Sequence, residues 1–191
     1  MFNLFKTASG GAADSQQDPV LHQVLGTPIA APAQAGQGQA LFGCGCFWGA
    51  EKGFWRLPGV VTTAVGYAGG QLGDPSYEQV CSGRTGHAEV VRVVWNAEQI
   101  GFSDLLKLFW ECHDPTQGDR QGNDRGSQYR SCIFVDDSAL LQLAEASREQ
   151  YQAQLSAAGF GPITTQIASN QHFYAAEVYH QQYLAKPGSR P

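Results

Sequence analysis

Residues 39–67 read QALFGCGCFWGAEKGFWRLPGVVTTAVGY, and this run sets the fold. QALFGCG predicts a short buried strand. In GCFWGAEKGFWRL the apolar residues Phe47, Trp48, Phe54 and Trp55 recur at helical spacing on one face. Pro58-Gly59 then stops the helix. VVTTAVGY, residues 60–67, is rich in β-branched side chains and predicts a second strand.

Reading outward, Gly69-Gly70 and Gly73-Asp74-Pro75 make a long loop, and HAEVVRVVW (87–95) is the clearest strand. Ser103 can cap a helix with Leu105, Leu106, Phe109 and Trp110 on its apolar face. A polar Gly- and Asp-rich loop leads to a strand at 131–135 and a long amphipathic helix at 138–158, closed by Gly159. A strand at 163–167 and a helix at 173–184 complete the reading. The order β-α-β, loop, β-α, loop, β-α-β-α predicts an α+β two-layer sandwich, not a doubly wound parallel sheet. Residues 1–38 are rich in Ala, Gly, Gln and Pro and predict a flexible or surface-draped extension, with a short helix near 18–25. The catalytic domain is expected at 39–191.

The 191 residues are 42% hydrophobic but only 15% charged, against about 25% in an ordinary soluble domain. The net charge of −5, with basic residues dispersed, argues against phosphate-neutralising nucleic-acid binding. No run of 18 apolar residues predicts a transmembrane helix. The five cysteines, Cys44, Cys46, Cys81, Cys112 and Cys132, are odd in number. The N-terminus lacks the apolar core of a secretory signal. A reducing, cytoplasmic compartment is expected, where cysteines serve chemistry or metals more than bridges.

Three features carry chemistry. Cys46 falls at a strand-to-helix junction, where backbone N–H groups and the macrodipole favour a thiolate. From position alone it is either such a nucleophile or a small buried thiol in a tight turn. Glu89 shares a strand face with Val91, Val93 and Trp95. It is either a carboxyl with a raised pKa or a solvated residue near the strand end. Tyr77, Asp124 and Tyr129 lie in Gly-rich loops, where binding residues concentrate.

Together these residues carry a resemblance. The chain resembles the peptide methionine sulfoxide reductases of the A type, through GCGCFWGAEKGFWRLPGV, VGYAGG, PSYEQVCSGRTGHAEVVRV, HDPTQGDRQGNDRGSQYRS and HQQYL, from about Gly43 to Leu184. The resemblance implies a two-layer α/β sandwich of ferredoxin-like type with long coil extensions. It implies that Cys46 attacks the sulfoxide sulfur and that Phe47 and Trp48 hold the substrate methyl. Glu89 then protonates the sulfoxide oxygen, Tyr77 and Tyr129 hydrogen-bond it, and Asp124 is the loop carboxylate. His180 of HQQYL joins the substrate-binding set. The implied activity is repair of the S epimer of methionine sulfoxide, in proteins or free, through a cysteine sulfenic acid. Thioredoxin or another thiol regenerates the enzyme. No bound cofactor, metal, nucleic acid or membrane is expected, and a monomer is.

The family's resolving cysteines follow HQQYL, whereas no cysteine follows Cys132 here. Cys44 is the candidate within the sequence, but a bridge across one residue is strained, so a tail or an external thiol is favoured. Two rival readings exist: a cysteine hydrolase using His87, His113 or His172, and a zinc site from Cys44, Cys46, Cys112 and His113. Paired zinc cysteines are usually spaced more widely than CGC.

Overall fold

In the computed structural model, which describes residues 18–190, the opening run forms β1 (Gln37–Cys44), α1 (Phe47–Phe54) and β2 (Val60–Ala68). The chain continues through α2 (Tyr77–Cys81), β3 (Ala88–Asn96) and α3 (Phe102–Cys112). A small hairpin, β4 (Arg120–Gln121) and β5 (Asp124–Arg125), and a 3-10 turn at Ser127–Tyr129 precede β6 (Ser131–Phe134). Then come α4 (Ser138–Ala157), β7 (Gln166–Ala168), β8 (Tyr174–Ala175) and a 3-10 turn at Tyr183–Ala185.

The six-stranded sheet has the order β7-β6-β1-β3-β2-β8. β3 lies between β1 and β2 and runs antiparallel to both, with Phe42 opposite Val91 and Tyr67 opposite Glu89. The β1-α1-β2 unit is therefore a split crossover, and β6-α4-β7 is a crossover between parallel neighbours. One sheet face carries the main core, Phe42, Val65, Tyr67, Val91, Val93 and Ile133 against Phe54, Leu105 and Phe109 of the helices. Phe42 stacks on Phe54 at 4.7 Å between ring centres, which locks α1 onto β1. The other face buries Leu41, Val90, Cys132 and Phe134 under coil that includes Phe173. The result is a two-layer α/β sandwich with long coil, as the element order predicts.

Some elements differ from the reading. α3 starts at Phe102 with Gly101 as its cap, because the Asp104 carboxylate reaches back to the Gly101 N–H at 3.1 Å. Of the extension expected at 1–38, residues 1–17 lie outside the described residues. The segment at 18–25 is not a helix: it turns, and Leu21 bridges to Pro28. His22 and Ile29 of this stretch are buried. Backbone carbonyls of Ile29 and Ala31 accept from the buried Arg92 guanidinium on the coil-covered face.

The largest difference is at 173–184, where helical spacing of apolar residues is overridden. Tyr174–Ala175 adds a strand to β2 instead. Gly66 permits this, since a Cβ there would lie 2.2 Å from the Tyr174 carbonyl oxygen. Gln181 then uses its amide to bond both the N–H and the C=O of Val65, at 2.9 Å each. Gln182 is left-handed (φ 47°) and is held by Glu51. Long-range side-chain bonds of this kind compete with helix formation and win here.

Candidate active site

Cys46 is the cap residue of α1, half-buried, with non-helical backbone (φ −54°, ψ 124°). The preceding Gly45 has φ +88°, a left-handed turn, and a Cβ there would sit 2.7 Å from the Gln121 side chain. This turn delivers the sulfur to the first N–H groups of α1. Those of Trp48 and Gly49 point at the sulfur and favour its thiolate. Burial and the Glu89 charge outweigh them, and the thiol is pushed up to about 11. The helix start alone predicts a depressed thiol pKa, so the structure corrects that expectation: burial was invisible in the local motif.

Glu89 is buried on β3. Its Oε2 accepts the Phe47 N–H at 3.1 Å, so carboxyl and thiol share one helix terminus. Burial pushes Glu89 up to about 7 and the charge of Asp124 adds to this, against the Phe47 hydrogen bond. A carboxyl of this kind carries a proton near neutral pH and can give it away.

Tyr77 begins α2, and Tyr129 ends the 3-10 turn before β6. Both are partly buried and both feel the Glu89 charge. Burial is the first cause that raises Tyr77, followed by a hydrogen bond with Cys81. Tyr129 is pushed up to about 12, by burial and then by Glu89. Both phenols therefore keep their protons at neutral pH and serve as donors. Asp124, on the exposed β5, contributes its charge to Cys46, Glu89 and Tyr129.

The aromatic residues form a wall. Phe47 is buried, with Tyr67 6.0 Å and His180 5.3 Å from its ring centre. Trp48 is half-exposed and stacks on Tyr183 at 3.9 Å. Its indole N–H donates to Nδ1 of His180 at 3.2 Å. His180 lies in a turn, is itself buried, and packs 4.5 Å from the Tyr77 ring. Cys46, Phe47, Trp48, Glu89, Tyr77, Tyr129, Asp124 and His180 thus come together from six separate stretches of chain.

The rival hydrolase arrangement has no support in the placement of its three candidate histidines, of which His172 packs on Tyr174 with 4.4 Å between ring centres. His113 bonds the Phe109 carbonyl and Ser131, not Cys46. His87 is buried against Tyr174 at a ring distance of 5.7 Å, with no hydrogen-bond partner on either nitrogen.

A family model described as peptide methionine sulfoxide reductase matches residues 38–190. Peptide methionine sulfoxide reductase MsrA of Azotobacter vinelandii is 59% identical over 179 residues, 93% of this chain and 83% of that protein. The chain belongs to the peptide methionine sulfoxide reductase family. Solved structures agree. Methionine sulfoxide reductase A of Corynebacterium diphtheriae matches with a TM-score of 0.83 at 46% identity, over 89% of this chain and 82% of that one. Reduced Mxr1 of Saccharomyces cerevisiae matches with a TM-score of 0.78 at 34% identity, over 84% and 91%. The chain is thus an oxidoreductase of the peptide methionine sulfoxide reductase class.

Around this cluster stand residues that the sequence reading did not single out. Glu177 accepts from the Tyr67 hydroxyl at 3.0 Å and from the Tyr77 N–H at 2.9 Å. These bonds hold it low against its own burial. It so fixes the start of α2 beside the site. Tyr183 backs Trp48. Tyr67 was findable: pairing the strands at 60–67 and 87–95 by period two puts it across from Glu89 on the same face. The capping pattern Ser76-x-x-Gln79 likewise marks α2, and both of its reciprocal bonds form.

Proposed function

We propose that the chain reduces the S epimer of methionine sulfoxide, in oxidised proteins and peptides and as the free amino acid, with Cys46 as nucleophile. The observation that carries this reading is the buried carboxyl of Glu89 at the same helix terminus as the Cys46 thiol. A sulfoxide sulfur becomes electrophilic only when its oxygen is protonated or strongly hydrogen-bonded. Glu89 gives the proton and the Tyr77 and Tyr129 hydroxyls hold the oxygen. Trp48, with Phe47 behind it and His180 orienting the indole, faces the substrate methyl. Cys46 attacks sulfur, methionine leaves, and Cys46 becomes a sulfenic acid. Placing methyl and oxygen on different walls selects one epimer. The nearby Asp124 helps the acid hold its proton.

The reading extends to a monomer of the cytoplasm that repairs oxidised proteins, with thioredoxin or another thiol as reductant and no bound cofactor. No helix among the described residues is long and apolar enough to cross a membrane. Residues 39–191 make up the catalytic domain in this reading, and 1–38 an extension. The test is a single-turnover assay with N-acetylmethionine S- and R-sulfoxides on the parent and each Cys→Ser variant. The parent should form methionine from the S epimer only, and Cys46→Ser should form none. An active Cys46→Ser variant beside an inactive variant at another cysteine would overturn the assignment.

A further inference from the structure

Cys44 and Cys112 meet beside α1. Cys44 ends β1, is buried, and stands two residues before Cys46. Cys112 is the last residue of α3 and is exposed. Sγ of Cys44, Sγ of Cys112 and a ring nitrogen of His113 all lie within 4.8 Å of one another. A crevice of about 140 Å³ joins this pair to Cys46, lined by Gly49, Ala50 and Gly53 of α1 and Leu108 of α3. The small residues are what open it: 46, 49, 50 and 53 share one face of α1. A Cβ at Gly49 would touch nothing within 4 Å. Cys46, as a cap residue, lies outside the helix, so its χ1 is not restricted by a preceding turn. Cys46 already lines the crevice, and rotation about that bond can turn its sulfur into it.

Resting on the reductase reading above, we propose that Cys112 and Cys44 are the resolving thiols of this chain, acting in that order. The Cys112 sulfur attacks Sγ of the Cys46 sulfenic acid. The Cys46–Cys112 S–S bond forms, the S–O bond breaks, and the hydroxyl leaves as water with the Cys112 proton. Cys44 then attacks the Cys112 sulfur. A Cys44–Cys112 disulfide forms, and Cys46 leaves as a thiol, taking the Cys44 proton. Cys46 is reduced by two electrons and the pair is oxidised by two. A dithiol reductant returns two electrons and two protons to the pair and leaves as its own disulfide.

The order follows from the surroundings. The adjacent Cys44 thiol and the neighbouring His113 lower Cys112 well below the ordinary thiol range, although the sulfur itself is crowded by its neighbours. Cys44 is raised, first by burial and then by Cys112. Cys112 attacks first because it shares the crevice with Cys46, whereas a direct Cys44–Cys46 bridge would span a single residue, and its lowered pKa suits it to the step. The direct Cys44–Cys46 bridge across Gly45 is bypassed, and the exposed Cys112 brings the final disulfide within reach of a reductant.

The test reads connectivity. The reduced full chain receives one equivalent of N-acetylmethionine S-sulfoxide without reductant. Free thiols are then alkylated, and the peptides are mapped by mass spectrometry alongside the methionine yield. The expected result is one methionine per chain, Cys46 alkylated, and Cys44 linked to Cys112. Cys44→Ala should stop at a Cys46–Cys112 link, and Cys112→Ser should leave a sulfenic acid on Cys46 that dimedone traps. If methionine forms while Cys44 and Cys112 are both alkylated, or while Cys46 is linked to Cys81 or Cys132, the relay is wrong and the reductase reading stands. If no methionine forms, both fall. The parent alone decides this even if a variant does not fold.

Discussion

Glu89 helps to set the protonation of Cys46. Burial and the Glu89 charge push the thiol up to about 11, and burial pushes the carboxyl up to about 7. Between those values the pair holds one proton, resting on sulfur. The reactive arrangement, protonated carboxyl with thiolate, holds the same number and differs only in where the proton sits. The single-turnover rate should therefore rise as pH is raised through about 7 and fall only near 11. Glu89→Gln should slow methionine formation by about 10²–10⁴-fold, the span of a general acid. It should also abolish the limb near pH 7 and lower the Cys46 pKa, since the second cause of its rise is gone. Iodoacetamide alkylation rates against pH read that pKa. An unchanged limb near pH 7 in the Gln variant would remove Glu89 as its source. Local pattern placed Cys46 at a strand-to-helix junction and Glu89 on a separate strand, because neighbouring letters carry that information, whereas their meeting depends on strand pairing. The direction in which the thiol moves was not legible, since it depends on burial by distant chain.

At the scale of elements, one buried carboxylate ties three segments. Oε1 of Glu51, on α1, accepts from the Thr63 hydroxyl of β2 at 2.9 Å and from the Gln182 amide at 2.7 Å. Its Oε2 accepts the Gln182 N–H at 2.9 Å. Glu51→Gln turns one acceptor into a donor, so at least one of these buried donors loses its partner. The expected cost is about 1–3 kcal/mol, read from denaturant midpoints. The loosened segment includes His180 and Tyr183, which hold Trp48. Amides at 180–185 should exchange faster with deuterium, and KM for the sulfoxide should rise. Normal exchange there with a normal KM would show that the segment stands without Glu51. The same network explains which elements the sequence disclosed. β1, α1, β2, β3, α3 and α4 are long, periodic and bounded by Gly, Pro or a capping residue, so local pattern suffices. Residues 173–184 have helical spacing, but Glu177, Gln181 and Gln182 spend their side chains on distant backbone and carboxylate groups. No local pattern announces that.

At the scale of the whole molecule, the Glu51 network continues into the N-terminal stretch. His22 Nδ1 accepts the N–H groups of Val24 and Leu25, at 3.1 Å each, so the ring proton is on Nε2. That Nε2–H reaches Thr63 Oγ1 at 2.8 Å, and Thr63 donates onward to Glu51. One chain of bonds therefore links residues 22, 63, 51 and 182, and with them both ends of the described fold. The composition of 1–38 gave no hint of this anchor, because it rests on one histidine and a few backbone groups. Burial lowers His22 from 6.5 to about 4. The unfolded chain then binds more protons than the folded one between those values, so this contribution is complete above pH 6.5 and is lost as pH falls towards 4. Glu89 and Glu51, both raised by burial, act in the opposite direction as pH rises, so the total slope hides the histidine. His22→Gln isolates it: a glutamine can accept the two N–H groups and donate to Thr63, but it does not titrate. Parent minus variant stability, from urea midpoints, should be constant above about pH 7. It should fall by up to about 3 kcal/mol between pH 6.5 and 4, because each tenfold difference in proton affinity between the folded and unfolded chain is worth about 1.4 kcal/mol. A difference that stays flat across that window would mean that His22 titrates normally and does not anchor the N-terminal stretch.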